Sequence, residues 1–551
     1  MPSQSTDMVK LTIDQVSVEI RDGATIMEAA ASVGIAIPSM CYKPGFSNHP
    51  SCMVCMVKEV NRDQLLPSCA MPVSEGMNIL TATTEVAEAR KEALELLLSD
   101  HVGDCEAPCR LTCPAFMDIP LMNRLIAAGD FTRALKIVRE EIALPLILGY
   151  ICPAPCEKAC KRKAMDSAVS ICLLKRSTVQ QDDHADNPVP VPAGANGKRV
   201  AIIGTGPAGL AAAFYLLRSG HGCVLFDRET KAGGTLRYGI SGEHLPEEIL
   251  NTEIDLINQM GAEFRLNSTI DEAYFHTAVL PLFDAVILAT GHQDATLAGL
   301  FGIRPDAAGS FIDRKHFTTS LAGVFACGNV IREQRMAVQS VAQGKMAALE
   351  VERYLGTHLH QQPANEQPVN PVLTTGGAES HRRGSVSVTG HLFETEWQEY
   401  LQESTGDDRV TPSGDDMGSF TKQEAIREAK RCLHCDCRKP ASCRLRHYSD
   451  EYGAGRKRYA GPGRKRITRS VQHETVVYEK EKCIRCGLCV EIAEAHGEPI
   501  GLTFAGRGFD VQITVPFGET IREALQVAAA ACVEACPTGA LAFRNNEERN
   551  R

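Results

Sequence analysis

No run of ~18 or more apolar residues, the length a membrane-spanning helix needs, occurs in this chain. Aromatic residues are sparse, and Trp397 is the only tryptophan. Positive charge is not in excess. The net charge of −10 argues against a nucleic-acid partner, whose phosphates require a basic surface. The first residues, MPSQSTDMVKLTIDQV, lack the basic-then-apolar order of a secretory signal, so a cytoplasmic location is expected. There is no regular repeat, no Ser–His–Asp set, and no molybdopterin or nickel-thiolate signature. What the chain has is cysteine: 22 of them, where disulfides are rare and metal thiolate sites are the better reading. Nineteen fall into four dense groups, and only Cys172, Cys223 and Cys327 stand apart.

A chain of 551 residues exceeds one hydrophobic core, so several domains are expected. Residues 9–20, VKLTIDQVSVEI, alternate apolar and polar as a strand hairpin does, and a helical stretch follows around Ala24–Val33. Residues 86–100 and 120–140 read as helices. A Pro/Ala/Gly linker spans 187–197, and from Lys198 to about Tyr354 the pattern is α/β. Residues 360–420, rich in Pro, Gly, Ser, Asp and Gln, suggest a long, partly mobile connector.

Cys41, Cys52, Cys55 and Cys69 stand as C-x10-C-x2-C-x13-C after the hairpin and helix. Two neighbouring thiolates on a tight loop can hold one iron and the outer pair the second, as a [2Fe–2S] cluster requires. A zinc site is the alternative, since four thiolates also suit zinc. Spacing and preceding strand pattern together resemble the N-terminal β-grasp ferredoxin domain of the G-type subunit of respiratory complex I and of NAD-linked hydrogenases. The resemblance runs through LELLLSDH at 94–101, where that family places a histidine cluster ligand.

The next group is His101, Cys105, Cys109 and Cys113, followed by Pro114, and then Cys152, Cys156 and Cys160 in YICPAPCEKAC. It resembles the helical N-terminal domain of the glutamate synthase small subunit, shared with dihydropyrimidine dehydrogenase, which holds two [4Fe–4S] clusters with interleaved ligands. By position, the resemblance implies one cluster on Cys105, Cys109 and Cys160 and another on Cys113, Cys152 and Cys156. The family's first cysteine falls on His101, which can ligate because imidazole can replace a thiolate. The alternative is that His101 merely caps the preceding helix. The family's late acidic or amide ligand falls near Lys175, which cannot serve, so Cys172 is the candidate fourth ligand of the second cluster. The alternative there is a buried core thiol.

RVAIIGTGPAGLAAAFYLL begins as a buried strand and turns through Gly204, Gly206, Pro207, Ala208 and Gly209 into a helix. Such glycines let backbone amides approach a pyrophosphate at the helix N-terminus. A second strand, CVLFD, ends in Asp227, placed to hold ribose hydroxyls. GGTLRYGI at 233–240 (Gly234, Thr235, Leu236, Arg237), AVILATG at 285–291 (Ala289, Thr290, Gly291) and GVFACGNV at 323–330 (Gly328, Asn329) follow. They resemble the FAD-binding segments of glutamate synthase-type flavoproteins, and so imply FAD; an empty Rossmann fold is the alternative. That family usually has Asp where this chain has Asn329. It also inserts a second dinucleotide domain before the closing FAD motif. Here twenty-nine residues separate Gly291 from Thr319 inclusive, less than one βαβ unit, and no second glycine fingerprint occurs. The chain is expected to lack its own nicotinamide site.

Cys432, Cys435, Cys437 and Cys443, as C-x2-C-x-C-x5-C, favour a [4Fe–4S] cluster, with zinc again the alternative. KCIRCGLC supplies Cys483, Cys486 and Cys489, and ACVEACP supplies Cys532 and Cys536. This resembles a two-cluster bacterial ferredoxin module reduced to one cluster, which implies Cys536 as its fourth ligand. Ala493 stands where the lost cluster's cysteine would be, and Cys532 is left over. The basic stretch RKRYAGPGRKRITR at 456–469 reads as a solvated or partner-facing loop.

The expected architecture is multidomain, α/β plus α+β. It comprises a β-grasp ferredoxin-like domain at 1–85, a helical two-cluster domain at 86–186, a Rossmann-like FAD domain at 198–356, a linker at 357–420 and a ferredoxin-like cluster domain at 421–551. With FAD, one [2Fe–2S] and four [4Fe–4S] clusters but no visible substrate-activating site, the leading expectation is an electron-transfer subunit of a multi-subunit oxidoreductase. The resemblances imply a flavin-bearing NADH-oxidising partner and a second redox partner: hydrogenase, formate dehydrogenase or ferredoxin. A self-contained NAD(P)H-dependent reductase and a zinc-stapled scaffold are the competing expectations.

Overall fold

The structure is a computed structural model that describes residues 8–47, 49–181, 193–291, 301–305, 310–356, 389–413, 418–459, 461 and 463–544. The chain forms two compact units, one of residues 1–107, 370–403 and 434–551, the other of residues 108–369 and 404–433.

The first unit opens with the expected hairpin, β1 (Met8–Ile13) and β2 (Val16–Arg21). Asp14 and Gln15 both take left-handed conformations (φ 46° and 70°), the two-residue turn whose twist matches paired strands. Strands β3 (Met56–Glu59), β4 (Gln64–Pro67) and β5 (Asn78–Leu80) complete a mixed sheet ordered β2-β1-β5-β3-β4. Helix Ile26–Ser32 starts at a Thr25–Glu28 capping box and buries Ile26, Met27, Ala29 and Ala30. Helix Thr84–Asp100 follows, capped by Thr83. The C-terminal part pairs Val476–Tyr478 with Leu541–Phe543 and carries helices Leu488–Ala495 and Ala529–Ala535. Part of the expected connector belongs to this unit as helix Glu394–Leu401; residues 357–388 and most of the 187–197 linker lie outside the described residues.

The second unit starts with short helices. The stretch 120–140, expected as helical, is two helices, Ile119–Ala127 and Phe131–Glu141. Gly129, at φ 82°, ends the first, and the Asp130 side chain caps the second by accepting the Arg133 N–H at 2.9 Å. Helices Pro145–Ile151 and Ile171–Gln180 lead to a parallel sheet of β6 (Arg199–Ile203), β7 (Gly222–Phe226), β8 (Glu263–Arg265), β9 (Ala285–Leu288) and β10 (Val324–Ala326). Its order, β10-β9-β6-β7-β8, reverses direction at β6, the switch point where doubly wound folds bind dinucleotides. Among the described residues no helix is long and apolar enough to cross a membrane.

Candidate functional site

Cys41, Cys52, Cys55 and Cys69 are all buried, and the Cys41 and Cys52 sulfurs are hydrogen-bonded at 3.4 Å. Thiol hydrogen bonds from Cys52 and Cys69 hold Cys41 far below the usual thiol range. The Cys69 thiol brings Cys55 down to about 7. The Cys41–Cys52 hydrogen bond, together with burial, pushes the Cys52 thiol up.

Four cysteine loops share a backbone feature that the sequence does not signal. Met53, Ala154, His434 and Arg485 sit within or beside the short spacings of their groups and take φ values of 54°, 49°, 47° and 57°. Left-handed backbone at non-glycine residues costs energy and persists where surrounding structure enforces it. Alternating the hand turns successive N–H groups into one concavity, the arrangement found around phosphates and iron–sulfur clusters.

In the second unit, the thiols of Cys152 and Cys156 both hydrogen-bond Cys172, and Cys113 lies within electrostatic reach of Cys152. Cys172 thus stands among thiols and not alone in the core. Lys175 is 3% exposed. Burial would lower its pKa, but the surrounding thiols, Cys172 foremost, hold it above the ordinary value.

In the first unit, Cys483, Cys486, Cys489 and Cys536 act electrostatically on one another, and burial pushes all of the first three upward. Cys532 is fully buried and donates to the Cys489 carbonyl at 3.5 Å, as a structural thiol does. Two other sets are divided. His101 and Cys105 belong to the first unit, but Cys109 and Cys160 to the second; Cys432 belongs to the second unit, but Cys435, Cys437 and Cys443 to the first. Among the described residues no group of three or more His, Cys, Asp and Glu side chains is arranged to hold a single metal ion.

The basic stretch at 456–469 is solvated in part: Lys457, Arg458, Lys465 and Arg466 are exposed, whereas Arg464 is half-buried and Arg469 buried. Arg458 pairs with Glu95 at 3.0 Å and Arg464 with Glu396 at 2.6 Å. Arg469 is buried between Glu479, at 3.1 Å, and the Tyr400 ring. These three arginines face carboxylates of their own unit, a match between distant segments that charge counting along the chain cannot reveal.

In the flavin-type fold, a cavity of about 490 Å³ opens at the ends of β6, β7 and β9. Gly204, Gly206, Pro207, Ala208, Asp227, Gly234, Thr235, Ala289, Thr290, Gly291 and Asn329 line it. A Cβ on Gly204 would stand 2.3 Å from the Ala289 carbonyl oxygen, and one on Gly209 2.0 Å from that of Gly204, so both glycines are required by close approach. A Cβ on Gly206 would meet only open space, as a backbone edge that faces a ligand should. The Asp227 carboxylate accepts from Thr205 N–H at 2.7 Å, tying β7 to the glycine loop. Thr290 Oγ1 is buried without a hydrogen-bond partner among the described residues, an orphan that a polar ligand at this cavity would satisfy.

Gly209, Leu236, Arg237 and Gly328 do not line the cavity. Arg237 instead donates to the Ala232 carbonyl, Glu247 and Asn251. Tyr238, inside GGTLRYGI, and Ser340, on helix Ala337–Leu355, also line the cavity. Cys223 in β7 and Cys327 just after β10 are buried, and burial alone pushes both thiols up, Cys327 to about 12.

Three protein families match the chain in order. They are a 2Fe-2S iron-sulfur cluster binding domain over residues 6–84, dihydropyrimidine dehydrogenase domain II with a 4Fe-4S cluster over 80–187, and pyridine nucleotide-disulphide oxidoreductase over 198–309. Among curated relatives, NADPH-Fe(3+) oxidoreductase subunit beta of Geobacter sulfurreducens is 37% identical over 36% of this chain and 30% of its own length. NADP(+)-dependent formate dehydrogenase subunit beta of Moorella thermoacetica is 34% identical over 39% and 33%, and the glutamate synthase [NADPH] small chain of Bacillus subtilis is 38% identical over 33% and 37%. The chain thus spans about a third of the length of each. In order, the chain thus carries a 2Fe-2S domain, a 4Fe-4S domain and a pyridine nucleotide-disulphide oxidoreductase domain, and over these parts it is similar to iron–sulfur oxidoreductase subunits and to glutamate synthase small chains.

Proposed function

We propose that the chain relays electrons between partner subunits of a multi-subunit oxidoreductase through FAD, one [2Fe–2S] cluster and four [4Fe–4S] clusters. When bound, a flavin exchanges electrons in pairs and the clusters exchange them singly. The protein's part is to hold these groups close together and dry. The observation that carries this reading lies in the first unit. Cys41 and Cys52, Cys443 and Cys486 belong to one buried apolar cluster, although they come from three separate cysteine groups. Cys486 also feels Cys41, and Cys443 feels Cys536. Adjacent thiol sets in one apolar body are what short electron steps require.

The Thr290 orphan and the open edge at Gly206 support FAD in the second unit, with Asp227 toward the ribose and Asn329 toward the ribityl chain. The relatives' names, subunits of a formate dehydrogenase and of an NADPH-linked iron oxidoreductase, favour a nicotinamide-oxidising partner on one side and a second redox subunit on the other.

Anaerobically prepared protein should carry one FAD and about eighteen iron atoms, the sum of one two-iron and four four-iron clusters. Cys536→Ser should remove about four of them and Cys532→Ser none, as read by iron analysis and EPR. Zinc in place of iron, or equal losses from the two variants, would contradict the assignment.

A further inference from the structure

The loop after helix Thr84–Asp100 carries His101 and Cys105, and its partners in the first unit come from far along the chain. Val102 N–H donates to the Glu481 carbonyl at 3.0 Å, which lays the loop beside the segment before Cys483. Cys437 N–H donates to the Cys105 carbonyl at 3.3 Å. Glu106 pairs with Arg446 at 2.9 Å, and Arg446 stands on helix Arg444–Glu451, whose N-cap residue is Cys443. Two of these ties hold the Cys105 end of the loop against Cys437 and the helix that Cys443 caps, and the third holds the His101 end beside Lys482.

The side chains agree with the backbone. His101 is 9% exposed; its ring hydrogen-bonds the Lys482 main chain and leaves Nδ1 buried without a partner. A buried imidazole with one nitrogen anchored on a carbonyl and the other unpaired is arranged as metal-ligating histidines are. The residue ends its helix, but its ring is not spent on capping. Arg456 and Lys482 bear on the same imidazole, Lys482 bears also on Cys437, and an Arg456 Nη lies 4.0 Å from the Cys105 sulfur. A Cβ on Gly539 would stand 2.3 Å from the Cys437 sulfur, so the absent side chain leaves that thiol its room. The Cys443 thiol is pushed up to about 12 by burial, then by Cys437 and Cys105.

We infer that His101, Cys105, Cys437 and Cys443 form one three-cysteine, one-histidine [4Fe–4S] site, built from both ends of the chain. The inference rests on the proposed iron–sulfur function and redraws its ligand sets. Cys105 leaves the company of Cys109 and Cys160, and the C-terminal quartet parts with Cys437 and Cys443. Because imidazole brings no negative charge, and Arg456 and Lys482 stand close, this site should be easier to reduce than an all-thiolate one.

Non-additive iron loss in the full-length holoprotein tests the partition. Cys105→Ser and Cys437→Ser should each lose about four iron atoms, and the double variant no more than either single. Cys105→Ser/Cys109→Ser should lose about eight. Pulsed EPR gives a second readout that survives partial loss of iron. Nitrogen coupling to one reduced cluster should be present in the wild type and in Cys109→Ser, and absent in His101→Cys and in Cys437→Ser. Doubling of the loss in Cys105→Ser/Cys437→Ser, or nitrogen coupling that persists in Cys437→Ser or vanishes in Cys109→Ser, would overturn the site. Wild-type protein without iron would overturn the proposed function itself, a separate outcome.

Discussion

Lys175 lies one helical turn beyond Cys172 on Ile171–Gln180, so the two side chains share a face. Among the described residues it forms no ion pair. Glu253 feels its charge, but that carboxylate accepts the N–H groups of Leu146 and Ile147. A buried, unpaired ammonium is costly unless an anion stands beside it, and four thiolates on a cluster would supply that anion. Lys175→Met keeps the volume and removes the charge. At an effective dielectric of ~20 and a separation of about 6 Å, that change disfavours the reduced cluster by about 3 kcal/mol. Iron content should hold while one four-iron midpoint potential falls, read by EPR during a redox titration. Iron and all midpoints unchanged would show that Lys175 does not face a cluster. The sequence marks position 175 only as a misfit for a family ligand and leaves Cys172 open. Their juxtaposition needs the helical turn and the fold around it.

At the scale of elements, helices Pro207–Arg218 and Ala337–Leu355 pack at Gly344, where a Cβ would stand 2.2 Å from the Ala208 carbonyl oxygen. Ala208 also lines the flavin-type cavity, so the packing of the two helices fixes the floor of that site. Gly344→Ala should destabilise the fold by overpacking, about 1–3 kcal/mol, and lower the flavin-to-protein ratio. Thermal unfolding and flavin absorbance measure both, and no change in either would mean that the helices can part without harm.

Most elements here were legible. The N-terminal hairpin, the glycine loop and the strand ending in Asp227 follow from periodicity and turn chemistry acting within about twenty residues. Arg237 was not, because its motif position says nothing of Glu247 and Asn251, which take its guanidinium. The break at Gly129 and Asp130 was legible in principle, as a helix-ending glycine followed by a capping aspartate.

At the scale of the molecule, cysteine groups far apart in sequence meet in space. Their number and spacing announce thiolate sites, but which groups meet is a property of tertiary structure. The segment 434–551 packs with 1–107 in one unit while 432 and 433 belong to the other, and no local signal encodes that division. The basic stretch at 456–469 shows the same limit, since the carboxylates that absorb it lie around residues 95, 396 and 479. In the proposed function, electrons reach the flavin through the thiol-held centres and not by hydride from a nicotinamide bound in the chain itself. Hydride transfer requires the nicotinamide ring in a defined pose against the flavin, and the short span between Gly291 and Thr319 leaves no room for a second dinucleotide fold. Stopped-flow mixing of the pure chain with NADH and with NADPH tests this most directly. The flavin absorbance should stay unbleached by either nucleotide while dithionite reduces flavin and clusters alike; flavin reduction faster than ~1 per second by either nucleotide would contradict the account.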